Sequence, residues 1–203
     1  MRSLESIYNR AFFKNRRRLI WRADIICPAI VNTFDLKTNF FTSIVDVGCA
    51  IGEYVKKFLS LGINAYGIEG SKSVENYALA PIVIADLRST LEPYIFSKQL
   101  LSIYNLCMSL EVAEHIEEEY VDKYLDNLCL LSDNVMITAA PPGQEGVGHF
   151  NCKEKEYWEE KFLGREYKRD IEKEKKFQKQ IELYKDKKSI SMYYKNVMIY
   201  YKD

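Results

Sequence analysis

No stretch of the chain approaches the ~20 consecutive apolar residues needed to cross a bilayer as a helix. The N-terminus, MRSLESIYNRAFFKNRRRL, lacks the long apolar core and trailing small residues of a signal peptide. These absences argue against a helical membrane protein and lead to the expectation of a soluble, cytoplasmic one with no membrane partner. Net charge is missing as well. The 29 basic and 29 acidic residues cancel, so no global field draws the protein toward nucleic acid or an anionic surface. Paired cysteines are also lacking: Cys27, Cys49, Cys107, Cys129 and Cys152 are odd in number and widely spaced, with no C-x-x-C. That pattern argues against a disulfide framework and a structural zinc site, and it suits a reducing compartment. Internal repeats and low-complexity tracts are absent. Histidine is scarce, at two residues, His115 and His149.

What is present is an alternation of short apolar runs with amphipathic stretches. The runs at 43–49 (SIVDVGC), 64–70 (NAYGIEG), 81–87 (PIVIADL), 102–110 (SIYNLCMSL) and 134–140 (NVMITAA) read as strands. Between them, 52–62 is helical by its apolar spacing and stops at Gly62, SKSVENYAL is read as a helix, and 114–131 as one long helix. Its stripe is Val121, Leu125, Leu128 and Cys129. Strands apolar on both faces that alternate with helices predict an α/β domain, a mostly parallel sheet covered on each side. Later segments read as a helix at 153–164, a short strand in REYKRD, a charged helix from Ile171 and a closing strand at 191–202. Residues 3–34 read as one or two helices with Trp21, Ile25, Ile26 and Ile30 buried. A single domain over 1–203 is expected, with a helical cap at 1–40, a core at 41–140 and a substrate loop with terminal elements at 141–203. A chain of this size buries roughly 70% of its unfolded surface and needs no covalent staple.

The turn after the first strand, VDVGCAIGEY, carries Gly48 and Gly52. Glycines there let a ligand approach the backbone, and N–H groups opening a helix favour electron-rich atoms. Glu69 ends the second strand, where a carboxylate can take both hydroxyls of a ribose. Asp86 ends the third, where it can meet an adenine amino group. The loop is not the dinucleotide G-x-G-x-x-G, and Asp46 before it would repel a pyrophosphate. No G-K-[ST] follows, so it is not a phosphate-cradling loop either.

D-V-G-C-A-I-G, then Y-G-I-E-G-S, A-D-L and S-L-E-V-A-E-H-I together resemble the class I S-adenosylmethionine-dependent methyltransferases over residues 40 to 140. The resemblance implies a Rossmann-like seven-stranded sheet with helices on both faces and an antiparallel last strand. It also implies that Asp46, Gly48 and Gly52 line the methionine end of the cofactor, Glu69 holds the ribose and Asp86 meets the adenine. The backbone at Ser109 and Leu110 would face the methionine. Cys49 and Ala50 in the loop, Gly70 beside Glu69 and Leu87 beside Asp86 complete the implied contact set. Ala50 departs from the family, which often has a glycine there.

Glu111, Glu114 and His115 stand at i, i+3 and i+4, so a helix starting near 111 puts all three on one face at the carboxyl end of the fourth strand. Two carboxylates and an imidazole are suitable ligands for Mg²⁺ or Mn²⁺, and His149 on the following loop can supply a fourth. E-x-x-E-H is similar to the motif of the ubiquinone-pathway O-methyltransferases and of the small-RNA 3′-end 2′-O-methyltransferases. The plain alternative is an acid-rich first helical turn, which the macrodipole favours by roughly 0.3–1 kcal/mol. His149 and His115 are the candidate catalytic residues, since a histidine can take the acceptor's proton where no metal does.

PPGQEGVGHFN at 141–151 is expected to be a substrate flap: prolines stiffen its exit and glycines loosen its tip. Phe150, Tyr157 and Trp158 lie close enough in sequence to stack on a substrate, although Trp158 also suits a core anchor. KNRRRLIWR, with Lys14, Arg16, Arg17, Arg18 and Arg22, reads either as phosphate contacts or as the polar side of an amphipathic helix. Tyr8 is placed with the helices that cap the cofactor. The leading expectation is O-methylation of a hydroxyl on a small molecule or saccharide, with metal assistance as an option. RNA 3′-end ribose 2′-O-methylation and a cofactor-binding protein without turnover are the alternatives.

Overall fold

The computed structural model describes residues 4–101 and 103–203. Ser3 and Ser102, which open the expected first helix and fourth strand, lie outside the described residues. Seven strands form one sheet: β1 (Ser43–Val47), β2 (Asn64–Glu69), β3 (Ile82–Ile84), β4 (Leu106–Leu110), β5 (Asn134–Thr138), β6 (Lys168–Arg169) and β7 (Val197–Tyr201). Their order is β3-β2-β1-β4-β5-β7-β6. The pairs β1–β2, β1–β4, β2–β3 and β4–β5 are parallel, and β7 runs antiparallel to both β5 and β6. The expected architecture, last strand included, is the observed one.

Residue parity divides the sheet into two apolar layers. Val45, Val47, Cys107, Val135 and Ile137 pack toward α6 (Val121–Leu131) and α7 (Lys155–Leu163), among Tyr124, Leu125, Leu128, Trp158 and Phe162. Ile44, Leu106, Met108, Met136 and Ile199 pack toward α3 (Ala23–Thr33), α4 (Glu53–Ser60), α8 (Ile171–Ile181) and α9 (Lys188–Asn196). Alternate side chains of a strand point to opposite faces, so Asp46 shares the α3–α4 side with Ile44. Short helices α1 (Leu4–Ile7), α2 (Arg10–Arg16) and α5 (Glu92–Phe96) complete the set, and a 3-10 turn over Arg17–Arg22 leads into α3. The five cysteines are unpaired, and no helix of the described residues is long and apolar enough to cross a membrane.

Four expectations change. SKSVENYAL is helical only as a 3-10 turn at Lys72–Val74, because the Leu79 amide bonds to the Ile51 carbonyl (2.8 Å) and draws the chain back over the glycine loop. The segment 114–131 is not one helix: Ile116 and Glu117 are extended, and α6 starts at Val121. In 191–202 the strand begins only at Val197, and the first half is α9, which buries Ile190 and Tyr193 three residues apart. In the N-terminal segment Ile26 and Ile30 are buried as expected, whereas Trp21 and Ile25 are half-buried.

The antiparallel edge of the sheet is held by α7 gripping β7: the buried Phe162 ring stacks on Tyr200 at 4.0 Å and 16°. Truncation to Phe162→Ala is expected to cost about 3–5 kcal/mol of unfolding free energy, read from urea titrations as a lower midpoint at unchanged slope. A loss under about 1 kcal/mol would mean that this face repacks without the ring.

Candidate active site

The sheet order reverses between β1 and β4, and in open α/β sheets a ligand crevice forms outside the carboxyl ends of the strands at that point. Here it is a cavity of about 380 Å³. The first wall is the turn after β1. Gly48 has φ +78°, and a Cβ there would stand 2.5 Å from Val112 Cγ2, so only glycine fits. Ala50 has φ +47°, a left-handed conformation that costs an L-residue roughly 1–2 kcal/mol. The compensating contact is visible: the strained Ala50 amide donates to Glu69 Oε2 (3.0 Å), and the Ser71 amide donates to Oε1 (3.1 Å). Each oxygen keeps room for another donor. Burial nonetheless pushes the Glu69 carboxyl up to about 7, against the pull of those amides. Asp86 is gripped by Arg88 through both oxygens (2.7–3.2 Å), and that guanidinium holds its carboxyl below the usual range.

The second wall is the end of β4. Glu111 adopts φ +58°, and its amide bonds to Thr138 O (3.1 Å) and Oγ1 (2.9 Å). It is therefore outside any helix, and the expected i, i+3, i+4 face does not form. A 3-10 turn at Ala113–His115 presents the next two groups instead. Glu114 is fully buried, and neither carboxylate oxygen has a hydrogen-bond partner among the described residues. The amides of Glu114 and Ala140 reach it only weakly. Burial, and then the charge of Glu111, raise its carboxyl well above the usual range. His115 Nδ1 lies 2.8 Å from Gly148 O, and His149 Nδ1 lies 3.0 Å from Gln144 O. A ring nitrogen facing a carbonyl must carry the proton, so each neutral imidazole keeps its lone pair on Nε2. His149 Nε2 stands 4.0 Å from Glu114 Oε1, and one ligand atom each from Glu114, His115 and His149 falls within 4.8 Å of the other two. Glu111 is outside that trio; its Oε1 faces Asn196 Nδ2 at 3.4 Å. A buried carboxylate without donors, set against two imidazole lone pairs, is a donor set that fits a divalent cation.

The cover comes from the N-terminal segment. Glu5 accepts from Ser71 Oγ, the Lys72 amide and Ser73 Oγ, and the Ser73 bond leads in holding its carboxyl down. Tyr8 sets its ring edge-on to His115 at 5.8 Å. The arginine cluster divides: Lys14, Arg17 and Arg18 are exposed, while Arg16 and Arg22 line the cavity. Arg16 donates Nε to Glu53 Oε1 at 2.8 Å, and Arg22 is buried with Nη2 3.9 Å from the same oxygen. Neither the phosphate-contact nor the polar-face reading anticipated this pair.

Of the residues singled out in the sequence, Gly48, Ala50, Glu69, Gly70, Asp86, Leu87, Leu110, Glu111, Glu114, His115 and His149 line the one cavity. Four stand behind it. Asp46 points into the α3–α4 layer and Cys49 packs its sulfur against Gly67, while Gly52 caps α4 at φ +74°. Ser109 Oγ donates to Val47 O (2.8 Å) and accepts from Tyr124 (2.7 Å), pinning β4 to β1. Trp158 is a core anchor, Tyr157 bonds Glu118, and Phe150 stands half in solvent. Sequence reasoning named Arg16 and Arg22 only as phosphate contacts or a polar helix face, and it missed Gln144, Met192, Tyr193 and Asn196. The last three sit on a helix that the sequence presents as strand.

No protein-family model matches the chain, and neither does any curated protein. Solved structures do. A magnesium protoporphyrin IX methyltransferase from Synechocystis PCC 6803 with bound SAH is similar at TM-score 0.62 and 15% identity, over 93% of this chain and 85% of its own. A phosphoethanolamine N-methyltransferase from Haemonchus contortus, in complex with phosphomonomethylethanolamine and S-adenosylhomocysteine, is similar at 0.58 and 14%, over 87% and 52%. A SAM-dependent methyltransferase from Archaeoglobus fulgidus is similar at 0.54 and 14%, over 98% and 97%. At such identities the likeness is one of fold: the chain has the class I methyltransferase fold.

Burial holds the His115 imidazole down to about 4 from the ordinary 6.5, with the Gly148 bond opposing. Between those values the unfolded chain takes up a proton that the folded one refuses. The metal-free protein is therefore fully stabilised by this group above about 6.5 and loses that stability as pH falls toward 4. Glu69 acts in the opposite sense between 4.5 and about 7, so the comparison is between proteins. The urea midpoint of His115→Gln should drop less from pH 7 to pH 4.5 than that of the parent. Equal drops would refute the buried neutral imidazole.

Proposed function

We propose that this protein is an S-adenosylmethionine-dependent methyltransferase acting on a hydroxyl of a small molecule or saccharide, assisted by a divalent cation held by Glu114, His115 and His149. The observation that carries the metal-assisted reading is Glu114: a carboxylate with no exposure and no hydrogen-bond partner among the described residues, beside two imidazoles that each bring a ring nitrogen within 4.8 Å of it. Two nitrogen donors favour Mn²⁺ over Mg²⁺, which prefers oxygen. The fold supports the cofactor, since neighbours of this fold hold SAM or its demethylated product SAH.

Glu69 takes the ribose hydroxyls on the acceptor sites left by the Ala50 and Ser71 amides. Leu87 and Asp86 border the adenine, and Gly48 with Ala50 lets the sulfonium arm pass close to the backbone. The Arg16 guanidinium, bonded to protein at Nε, turns its other nitrogens to the methionyl carboxylate. The acceptor lies toward Leu110, Val147 and Met192, whose apolar surface excludes water from the sulfonium. In the transfer the acceptor oxygen forms its bond to the methyl carbon as the carbon–sulfur bond breaks, and sulfur leaves as a neutral thioether. Where no cation is bound, the acceptor's proton would go to His149 Nε2, whose lone pair is then free. Where His149 instead holds the cation, the hydroxyl beside that cation would have a lowered pKa and its proton would pass to solvent. A roofed cavity of about 380 Å³ and the balanced net charge favour a small acceptor over an RNA end.

Calorimetry with S-adenosylmethionine is expected to show saturable binding, weakened about 10- to 100-fold in Glu69→Ala by loss of charged hydrogen bonds. An absence of binding at millimolar cofactor would refute the whole reading. Methylation of a diol panel is expected to need Mn²⁺ and to lose that requirement together with most activity in Glu114→Ala. If parent and variant respond alike to Mn²⁺, metal assistance is wrong while cofactor binding stands.

A further inference from the structure

We infer that the loop 141–151 is a lid latched by the cation: metal binding at Glu114, His115 and His149, and not cofactor binding, draws it shut over the cavity. The inference rests on the metal site proposed above and concerns how that site regulates access.

The three ligands belong to two separate segments. Glu114 and His115 sit on the turn after β4, within the body of the domain, whereas His149 belongs to the loop itself. The loop's polar ties run to the same site. The Phe150 and Asn151 amides donate to the Glu114 carbonyl (2.9 and 3.0 Å), Gly148 O faces His115 Nδ1, and Gln144 Oε1 accepts from Asn196 (3.2 Å). Apolar anchoring is slight, with Val147 at 80% and Phe150 at 52% exposure. Few buried contacts and a handful of polar ties describe a segment that opens at low cost.

Closing this loop without a cation is unfavourable, because it seals the partnerless Glu114 carboxylate close to Glu111. With a cation present the same closure supplies the third ligand. The closed state therefore binds metal more tightly than the open one, and by reciprocity metal shifts the loop toward closure. The spacing points the same way. His149 Nε2 and Glu114 Oε1 are 4.0 Å apart, while adjacent ligands ~2.1 Å from one ion stand ~3 Å apart. A bound ion thus pulls the loop inward by about 1 Å. The imidazole is already aligned for this, because Gly146 lies flat over it. A Cβ there would stand 2.1 Å from Nε2 and 2.4 Å from Cδ2 and Cε1, so the tip folds onto His149 only as glycine.

Hydrogen exchange of the full chain, read at residues 143–151 with and without saturating Mn²⁺ and with S-adenosylhomocysteine alone, tests this directly. Mn²⁺ is expected to slow exchange of the Phe150 and Asn151 amides about 10-fold or more. S-adenosylhomocysteine alone should leave them unchanged. In His149→Ala, Mn²⁺ that still binds through Glu114 and His115 should give no slowing. Gly146→Ala, which keeps all three ligands but displaces the imidazole, should lose most of it. Unchanged exchange in the parent at saturating Mn²⁺, equal slowing in His149→Ala, or full slowing by S-adenosylhomocysteine alone would each overturn the latch. Calorimetry separates the two levels: no Mn²⁺ binding refutes the metal site itself, while binding without slowing refutes the lid alone.

Discussion

The backbone turn at Glu111 is the constraint on which the site depends. β4 cannot simply run on into a helix, because the Glu111 amide is taken by Thr138 at two points, its carbonyl and its hydroxyl. That anchors the end of β4 to the end of β5 and forces Glu111 into the left-handed region at φ +58°. A non-glycine residue in this conformation costs of order 1–3 kcal/mol and persists only where its surroundings over-determine it. The chain then leaves in a 3-10 turn instead of an α-helix. The tighter turn carries Glu114 inward, to full burial, and His115 up against the N-terminal cover. With an ordinary helix start, these acids would form the solvated first turn that their composition describes.

This turn also separates what was legible in the sequence from what was not. The strands, their order of use and the cofactor side could be read because they are local. Glu69 ends its own strand and Gly48 and Asp86 follow theirs by one or two residues, and short runs apolar on both faces mark the strands themselves. The β7 edge was legible as strand but not as helix-then-strand, since SMYYKNVMIYYK alternates apolar and polar residues compatibly with either period up to Asn196. The geometry of the acidic cluster was not legible, because it depends on Thr138, 27 residues away. Likewise, nothing near Arg16 announces that Glu53, 37 residues on, will turn it into the cavity. Spacing singled out Glu111, Glu114 and His115 for a helical face that does not form; the structure brings Glu114 and His115 together with His149 and leaves Glu111 outside the trio.

Electrostatically the cavity is a set of acids with the water removed. Glu69, Glu111 and Glu114 are all raised by burial, yet the three differ in what opposes it. Glu69 has two amides aimed at it and sits near neutrality, ready to ionise when a ligand offers hydroxyls. Glu111 is supported by Thr138 and Asn196. Glu114 has almost nothing, and it is the most deeply buried of the three. A graded series of this kind, from supported to bare, places the strongest demand for positive charge at one end of the cavity. Arg16 and Arg22 do not meet that demand, since both lean on Glu53, which stands outside the cavity lining.

The two covers are held by correspondingly different chemistry. The N-terminal segment is fastened by the Glu5 carboxylate to the loop after β2, through three neutral donors that are present with or without a ligand. The 141–151 loop is fastened chiefly through the Glu114 main-chain carbonyl and the His115 ring, on the turn whose side chains form the candidate cation site. The first cover is thus a fixed roof, held whatever the cavity contains, whereas under the proposed latch the second would be conditional on a bound cation. The two histidines take part in that division: His115 packs beneath the fixed roof, His149 arrives with the conditional one, and their rings meet at 4.9 Å. A bare carboxylate, two preset imidazoles and a glycine-lined strap meet at that point, and the proposed link between cation binding and loop closure rests on their meeting there.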